Sequence, residues 1–254
     1  MILVVGCGFV GGTIADSLEE EGREVIRIDP KLNDNKIEDF LEHAIGAIVA
    51  VPTPTINGMC DDSFIRTVLE ELGTNIPIML KCTVPPNMLE KYSDNVTYNP
   101  EFLRQATAKE DFDLQTQFIL GGTIKGCEFW AQVFGYLQFN KANNPCWFTF
   151  TDRNTASMVK YMHNCWLATK VAFFHEIYDL IGDDYDHNKL SSILARFENI
   201  GPSHMYPQND DGQLGFGGAC FPKDTEAFYA YTQSEILKQV IDTNNKLLHK
   251  SHSE

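Results

Sequence analysis

The chain opens Met1-Ile2-Leu3-Val4-Val5-Gly6-Cys7-Gly8-Phe9-Val10-Gly11-Gly12, an apolar run that breaks on a glycine-rich turn. Residues 2–5 predict a buried strand, and a helical pattern over 13–21 follows the Gly6-x-Gly8-x-x-Gly11 spacing directly. A second apolar strand over 25–28 ends on Asp29. Strand, glycine turn, helix, strand and terminal acid make the layout of a dinucleotide-binding βαβ unit. The glycines let a pyrophosphate approach, and the amides of Phe9, Val10 and Gly11 at the helix start face its charge. Asp29 is placed for the adenosine ribose hydroxyls and repels a 2′-phosphate, so NAD is the expected cofactor, although Lys31 two residues on works against that preference.

Outward from this unit, strands are predicted over 47–51, 78–81, 96–98, 118–120 and 147–150, with helices over 36–44, 61–72 and 128–137. Three strand ends carry polar, proline-bearing stretches: Pro52-Thr53-Pro54-Thr55, Cys82-Thr83-Val84-Pro85-Pro86 and Asn99-Pro100-Glu101-Phe102-Leu103-Arg104. Proline continues neither a central strand nor a helix, so rigid loops are expected at the edge where such sheets hold ligands. The alternation predicts an α/β fold, a Rossmann-type doubly wound parallel sheet over residues 1–152. An all-helical domain over 153–254 follows, with helices at 154–180, 187–197, 222–232 and 234–249. On the long helix Lys160 and Asn164 are four residues apart and share a face, and the flanking Tyr161, Trp166, Leu167 and Val171 suggest a largely buried helix.

The 254 residues carry a net charge of −15, which disfavours a nucleic-acid partner. The opening residues lack the basic flank of a signal peptide, and no apolar run reaches membrane-spanning length, so no membrane partner is expected. Seven cysteines at 7, 60, 82, 127, 146, 165 and 220, with no CxxC pair, argue for reduced thiols, a cytoplasmic setting and no metal site.

Residues 213–224, Gln-Leu-Gly-Phe-Gly-Gly-Ala-Cys-Phe-Pro-Lys-Asp, set Cys220 just before Pro222, a residue favoured at helix starts. The partial positive charge there favours thiolate, and Asp224 is placed to take or orient a proton. A glycine-rich turn with a buried cysteine is the other reading of the same residues.

Together these segments resemble the UDP-glucose 6-dehydrogenases and the wider nucleotide-sugar dehydrogenase family. The residues that carry the resemblance are GCGFVGG (6–12), VPTPT (51–55), KCTVPP (81–86), NPEFLR (99–104), VKYMHNCWLATKVAFFHE (159–176), IGPSHMY (200–206) and GFGGACFPKD (215–224). The resemblance implies oxidation of a sugar C6 alcohol to a carboxylate with two NAD, through an aldehyde and a cysteine-bound thioester. By position it makes Cys220 the nucleophile and Lys160 the stabiliser of oxyanions. Asn164 would hold substrate, Asp224 would move protons with Lys160, and Glu101 with Thr83 would serve thioester hydrolysis. It places Gly6, Gly8, Gly11, Asp29, Thr53 and Thr83 around NAD. Phe102, Leu103, Gly215, Gly217 and Gly218 would lie beside the sugar, and a homodimer would form through the helical domain.

The chain departs from the family pattern in four places. It ends at Glu254, where the family continues into a second Rossmann-like domain that binds uridine diphosphate, so that domain is expected to be absent. The stretch from Asp29 to Ala47 is short, Gln105 stands where NPEFLREG is usual, and Asn199 stands where an arginine is common. A non-catalytic NAD-binding module that has lost its substrate domain, and a small hydroxyacid dehydrogenase using a lysine without a cysteine, are the alternatives.

Overall fold

The computed structural model describes residues 1–56, 58–139, 141–206, 214–218 and 220–250; Gln213 and Ala219 of the cysteine stretch lie outside them. Strand β1 (Ile2–Val5) leads through the glycine turn into α1 (Phe9–Glu20) and returns as β2 (Val25–Ile28), parallel to β1 with Ile2 opposite Val25. After the short helix α2 (Ile37–Phe40), β3 (Gly46–Val49) pairs with the other side of β1. Thr55–Ile56 (β4) and Met59–Cys60 (β5) then pair as a separate two-stranded sheet, so the predicted loop ends at Pro54 and Thr55 is a strand residue. Helix α3 (Ser63–Leu72), which buries Ile65 and Leu72 on one face, leads to β6 (Ile78–Leu80). Next come α4 (Pro86–Leu89), β7 (Val96–Tyr98), α5 (Ala108–Asp113), β8 (Gln117–Gly121), α6 (Ile124–Val133) and β9 (Trp147–Thr151).

The main sheet has the order β2-β1-β3-β6-β7-β8-β9. The central strands β1, β3 and β6 read as unbroken apolar runs because both faces are covered. Leu3, Val5, Val49 and Leu80 join one core with Ile65 and Leu72 of α3, while Ile2, Val4, Ile48 and Met79 join another with Ile14 and Leu18 of α1 and Trp130 of α6. The sheet is mostly parallel: β7 and β8 pair antiparallel through Tyr98 and Gly121, so β8 and β9 run against the first five strands. Residues 99–116 leave β7 and enter β8 at the same edge of the sheet, with α5 set against α1 on the way, and such a connection can only join antiparallel neighbours.

The chain divides into two compact units, Met1–Pro54 with Cys60–Lys160, and Thr55–Met59 with the chain from Tyr161 onward. The division falls inside α7 (Arg153–Ile181), a helix of 29 residues with no internal glycine or proline. The second unit continues with α8 (His187–Leu194), capped by the Asp186 carboxylate accepting from Lys189 N at 2.9 Å, then α9 (Phe221–Thr232) and α10 (Glu235–Lys250). Ala168, Val171 and Ala172 of α7 pack with Phe216 and Val240, and Phe174 and Tyr178 pack with Met205. Among the described residues no helix is long and apolar enough to cross a membrane.

Candidate active site

In the first unit the strand ends are level. Ile28, Val5, Val49, Leu80 and Tyr98 form one row across β2, β1, β3, β6 and β7. The next residues keep the row for one more step: Gly6 N bonds to Ile28 O, Ala50 N to Val5 O, Lys81 N to Val49 O and Asn99 N to Leu80 O, all at 2.8–2.9 Å. Beyond that row the loops containing Gly8, Thr53, Thr83 and Glu101 all leave from one edge. In-register parallel pairing is what gathers them there.

The glycine turn fits a dinucleotide pyrophosphate. Gly6 has φ +85°, and a Cβ there would stand 2.6 Å from Ala50 O. One on Gly11 would stand 1.9 Å from Gly6 O, so α1 meets β1 closely only because both are glycine. At Gly8 a Cβ would meet nothing within 4 Å, which leaves the backbone open to a ligand. No side chain caps α1 and no acid stands in its first turn, so its amide end is suited to an anion. Asp29 accepts from Cys7 N at 2.8 Å and Lys31 N at 2.9 Å, one bond on each oxygen, and each oxygen retains a lone pair for a ribose hydroxyl. Burial, and then the Asp29 carboxylate, push the Cys7 thiol above its ordinary pKa.

At the ends of β6 and β7, on the same edge of the sheet, lies a buried charged cluster. Glu101 is locked in place: Oε1 accepts from Phe102 N at 2.7 Å and Leu103 N at 2.8 Å, and Oε2 pairs with Lys81 Nζ at 2.8 Å. Lys81 also donates to Asn99 Oδ1 at 2.6 Å, and Asn99 Nδ2 donates to Ile119 O at 2.6 Å, which ties β6 and β7 to β8. Lys160, buried on α7, donates to the Glu101 carbonyl and sits 5.1 Å from the Phe102 ring centroid. Leu103 packs at the margin of the core. Thr53 is buried and Thr83 half-buried, with the Thr83 carbonyl accepting from Cys60 Sγ.

The second unit brings Asn164, Asp224 and Cys220 onto α7 and α9. Asp224 is fully buried, with Oδ2 accepting from Asn164 Nδ2 at 2.6 Å and Oδ1 from Lys223 Nζ at 2.6 Å. Cys220 occupies the cap position of α9 and Pro222 the second helical residue. Its thiol makes no capping bond, and Cys220 is exposed, while the other six cysteines are buried or half-buried. Cys165, one residue after Asn164, shows the contrast: burial first, then the Asp224 charge, pushes its thiol pKa up to about 12. Gly215 is buried, and Gly217 and Gly218 are exposed. Among the described residues no three His, Cys, Asp or Glu side chains gather as a metal site.

Residues 154–246, which include Lys160, Asn164, Cys220 and Asp224, match the family model for the UDP-glucose/GDP-mannose dehydrogenase family, central domain. A UDP-glucose 6-dehydrogenase of Rickettsia bellii is 32% identical over 228 residues, covering 81% of this chain and 50% of that protein. The chain belongs to the UDP-glucose/GDP-mannose dehydrogenase family. A second member, the UDP-glucose 6-dehydrogenase of Rickettsia conorii, is 31% identical over 252 residues, covering 90% of this chain and 55% of that protein. The chain thus spans about half the length of the curated relatives it matches. In fold it is similar to a UDP-glucose dehydrogenase from the archaeon Pyrobaculum islandicum, with a TM-score of 0.81 and 23% identity over 96% of this chain and 68% of that one.

Sequence reasoning passed over Lys81, Lys223, His175 and Asn244. A lysine closing the apolar run of β6 was the available signal for Lys81, because a cation at the end of a buried strand needs a partner. For His175 and Asn244 no local signal exists: each bonds to the cysteine loop, 40 and 28 residues away.

Proposed function

We propose that this chain oxidises the C6 alcohol of a nucleotide sugar to the carboxylate with two NAD, UDP-glucose to UDP-glucuronate, through a thioester on Cys220. The exposed thiol at the start of α9 carries this reading, supported by family membership. Gly6, Gly8, Phe9, Val10, Gly11, Asp29, Thr53 and Thr83 hold NAD, which supplies the hydride acceptor. The substrate alcohol first loses a proton and a hydride to become an aldehyde. Cys220 then adds to the carbonyl carbon, forming a C–S bond and a thiohemiacetal oxyanion, and Lys160 stabilises that charge with its buried ammonium. Loss of a second hydride from the same carbon gives the thioester. Water attacks the thioester carbonyl, the C–S bond breaks, and the thiol and a carboxylate are released. Glu101 and Thr83 direct that water. Asn164, Phe102, Leu103, Gly215, Gly217 and Gly218 border the sugar, and Asp224 takes part in proton movement.

The proposed partner is a second copy of the chain. Met162, Trp166, Phe173, Ile177 and Leu180 are all exposed and, at these helical spacings, fall within one narrow arc of α7. A symmetric pair of such helices would cover it. The free thiols suit a cytoplasmic setting.

The test is NADH formation and acid production with UDP-glucose, with GDP-mannose alongside. Two NADH per carboxylate are expected, with no acid from Cys220→Ala or Cys220→Ser. Acid production undiminished in Cys220→Ala refutes the covalent route, and turnover retained in Cys220→Ala with one NADH per substrate and no new carboxylate favours a lysine-only hydroxyacid dehydrogenase. NAD binding without turnover of any sugar nucleotide favours the non-catalytic module.

A further inference from the structure

Two buried polar side chains with no part in the reaction scheme hold the chain just before Cys220. His175 of α7 is fully buried, and its Nδ1 accepts from Gly215 N at 2.8 Å. That bond fixes the tautomer and leaves the Nε2 hydrogen to the Tyr206 carbonyl at 3.0 Å. Asn244 of α10, also buried, makes a reciprocal pair with Phe216, Oδ1 accepting from its N–H at 2.5 Å and Nδ2 donating to its carbonyl at 3.0 Å. The Phe216 ring packs among Ala168, Val171, Ala172 and Val240 and meets Phe221 edge-on at 6.1 Å. The chain is therefore held at Gly215 and Phe216 and again at Phe221, the first residue of α9. Between those points Gly217, Gly218 and Cys220 are exposed, and a Cβ on either glycine would meet nothing within 4 Å.

We propose that His175 and Asn244 are positioning residues that set the place of the Cys220 thiol by clamping the backbone at Gly215 and Phe216. The proposal rests on the reading of Cys220 as the nucleophile. Buried backbone groups must be paired. Here both amides are paired by side chains rooted in long helices, so the backbone at Gly215 and Phe216 is tied to α7 and α10. A nucleophile must come within reacting distance of its carbon, and a displacement of about 1 Å is enough to cost about 10²-fold in rate.

The experiment uses the full chain and three readouts: hydrogen exchange at the Gly215 and Phe216 amides, iodoacetamide labelling of Cys220 read by peptide mass spectrometry, and kcat against KM. Asn244→Leu removes both bonds at nearly constant volume, and His175→Leu removes the acceptor. His175→Asn keeps an acceptor at the δ position. Both leucine variants are expected to raise amide exchange at residues 215 and 216 about tenfold. They should also lower kcat by about 10²-fold with KM for the sugar nucleotide little moved. His175→Asn should keep the Gly215 amide protected and restore most of kcat. Unchanged exchange in the leucine variants overturns the clamp. So does raised exchange with unchanged kcat, or an equal loss of kcat in His175→Asn and His175→Leu. If the parent turns over no sugar nucleotide, the functional reading fails separately. Exchange and labelling then still judge the clamp: a several-fold change in Cys220 labelling in the leucine variants, absent in His175→Asn, supports it, and equal labelling in all of them overturns it.

Discussion

Glu101 and Lys81 are buried together, their side chains 10% and 4% exposed and 2.8 Å apart. Removing one charge leaves the other without compensation in a medium that solvates it poorly. Lys81→Met is expected to cost about 3–5 kcal/mol, read as a lower urea midpoint at unchanged m-value. Adding Glu101→Gln should recover part of that loss, because a neutral amide needs no counter-charge. A double variant as unstable as the single one would show that the pair is not coupled. His175 carries a pH prediction. Burial lowers its pKa below the ordinary 6.5 against smaller opposing effects from the backbone groups of Tyr206 and Gly215; the Tyr178 ring lies 6.3 Å away. Below pH 6.5 the unfolded chain binds a proton that the folded chain does not, so this contribution is complete above 6.5 and is lost as pH falls from there toward the folded pKa. Thermal melts across that range should show a falling midpoint, with a shallower slope in His175→Asn.

At the scale of elements, the turn between β1 and α1 separates packing from binding. A methyl on Gly11 meets the Gly6 carbonyl at 1.9 Å, and neither backbone can yield. Gly11→Ala should therefore destabilise the fold by about 3 kcal/mol. A methyl on Gly8 meets nothing. Gly8→Ala should melt like the parent yet bind NAD at least about tenfold more weakly by calorimetry. Equal NAD affinity in Gly8→Ala would remove the pyrophosphate from this turn. Strands over 2–5, 25–28 and 96–98 were legible to the residue because short apolar runs bounded by glycine, aspartate and proline leave little choice of limits. The helix predicted from residue 128 instead starts at Ile124, where Thr123 caps it by accepting from Gly126 N at 3.2 Å. The glycine at 126 masked that start. Helices α4 and α5, of four and six residues, are too short to show a period.

For the whole molecule, the apolar arc on α7 makes a prediction about mass. Light scattering should give twice 28.7 kDa for the parent, and Trp166→Glu or Phe173→Glu should give the single-chain mass with an unchanged circular dichroism spectrum. A parent of 28.7 kDa removes the dimer.

The alternation of strand and helix, the glycine turn with its terminal acid, and the change to helices after β9 were all carried by the sequence, because periodicity and backbone freedom are properties of neighbouring residues. The direction of β8 and β9 was not, since a strand reads the same whichever way it pairs. Nor was the common row in which five strands end, which exists only as hydrogen bonds between strands. The glycines and cysteine of residues 215–220 stood out in the sequence, but their anchoring depends on His175 and Asn244, and the seat of Glu101 depends on Lys81. Burial forces each polar group to find a partner, and the chain's path through three dimensions, not its local pattern, decides which partner is within reach.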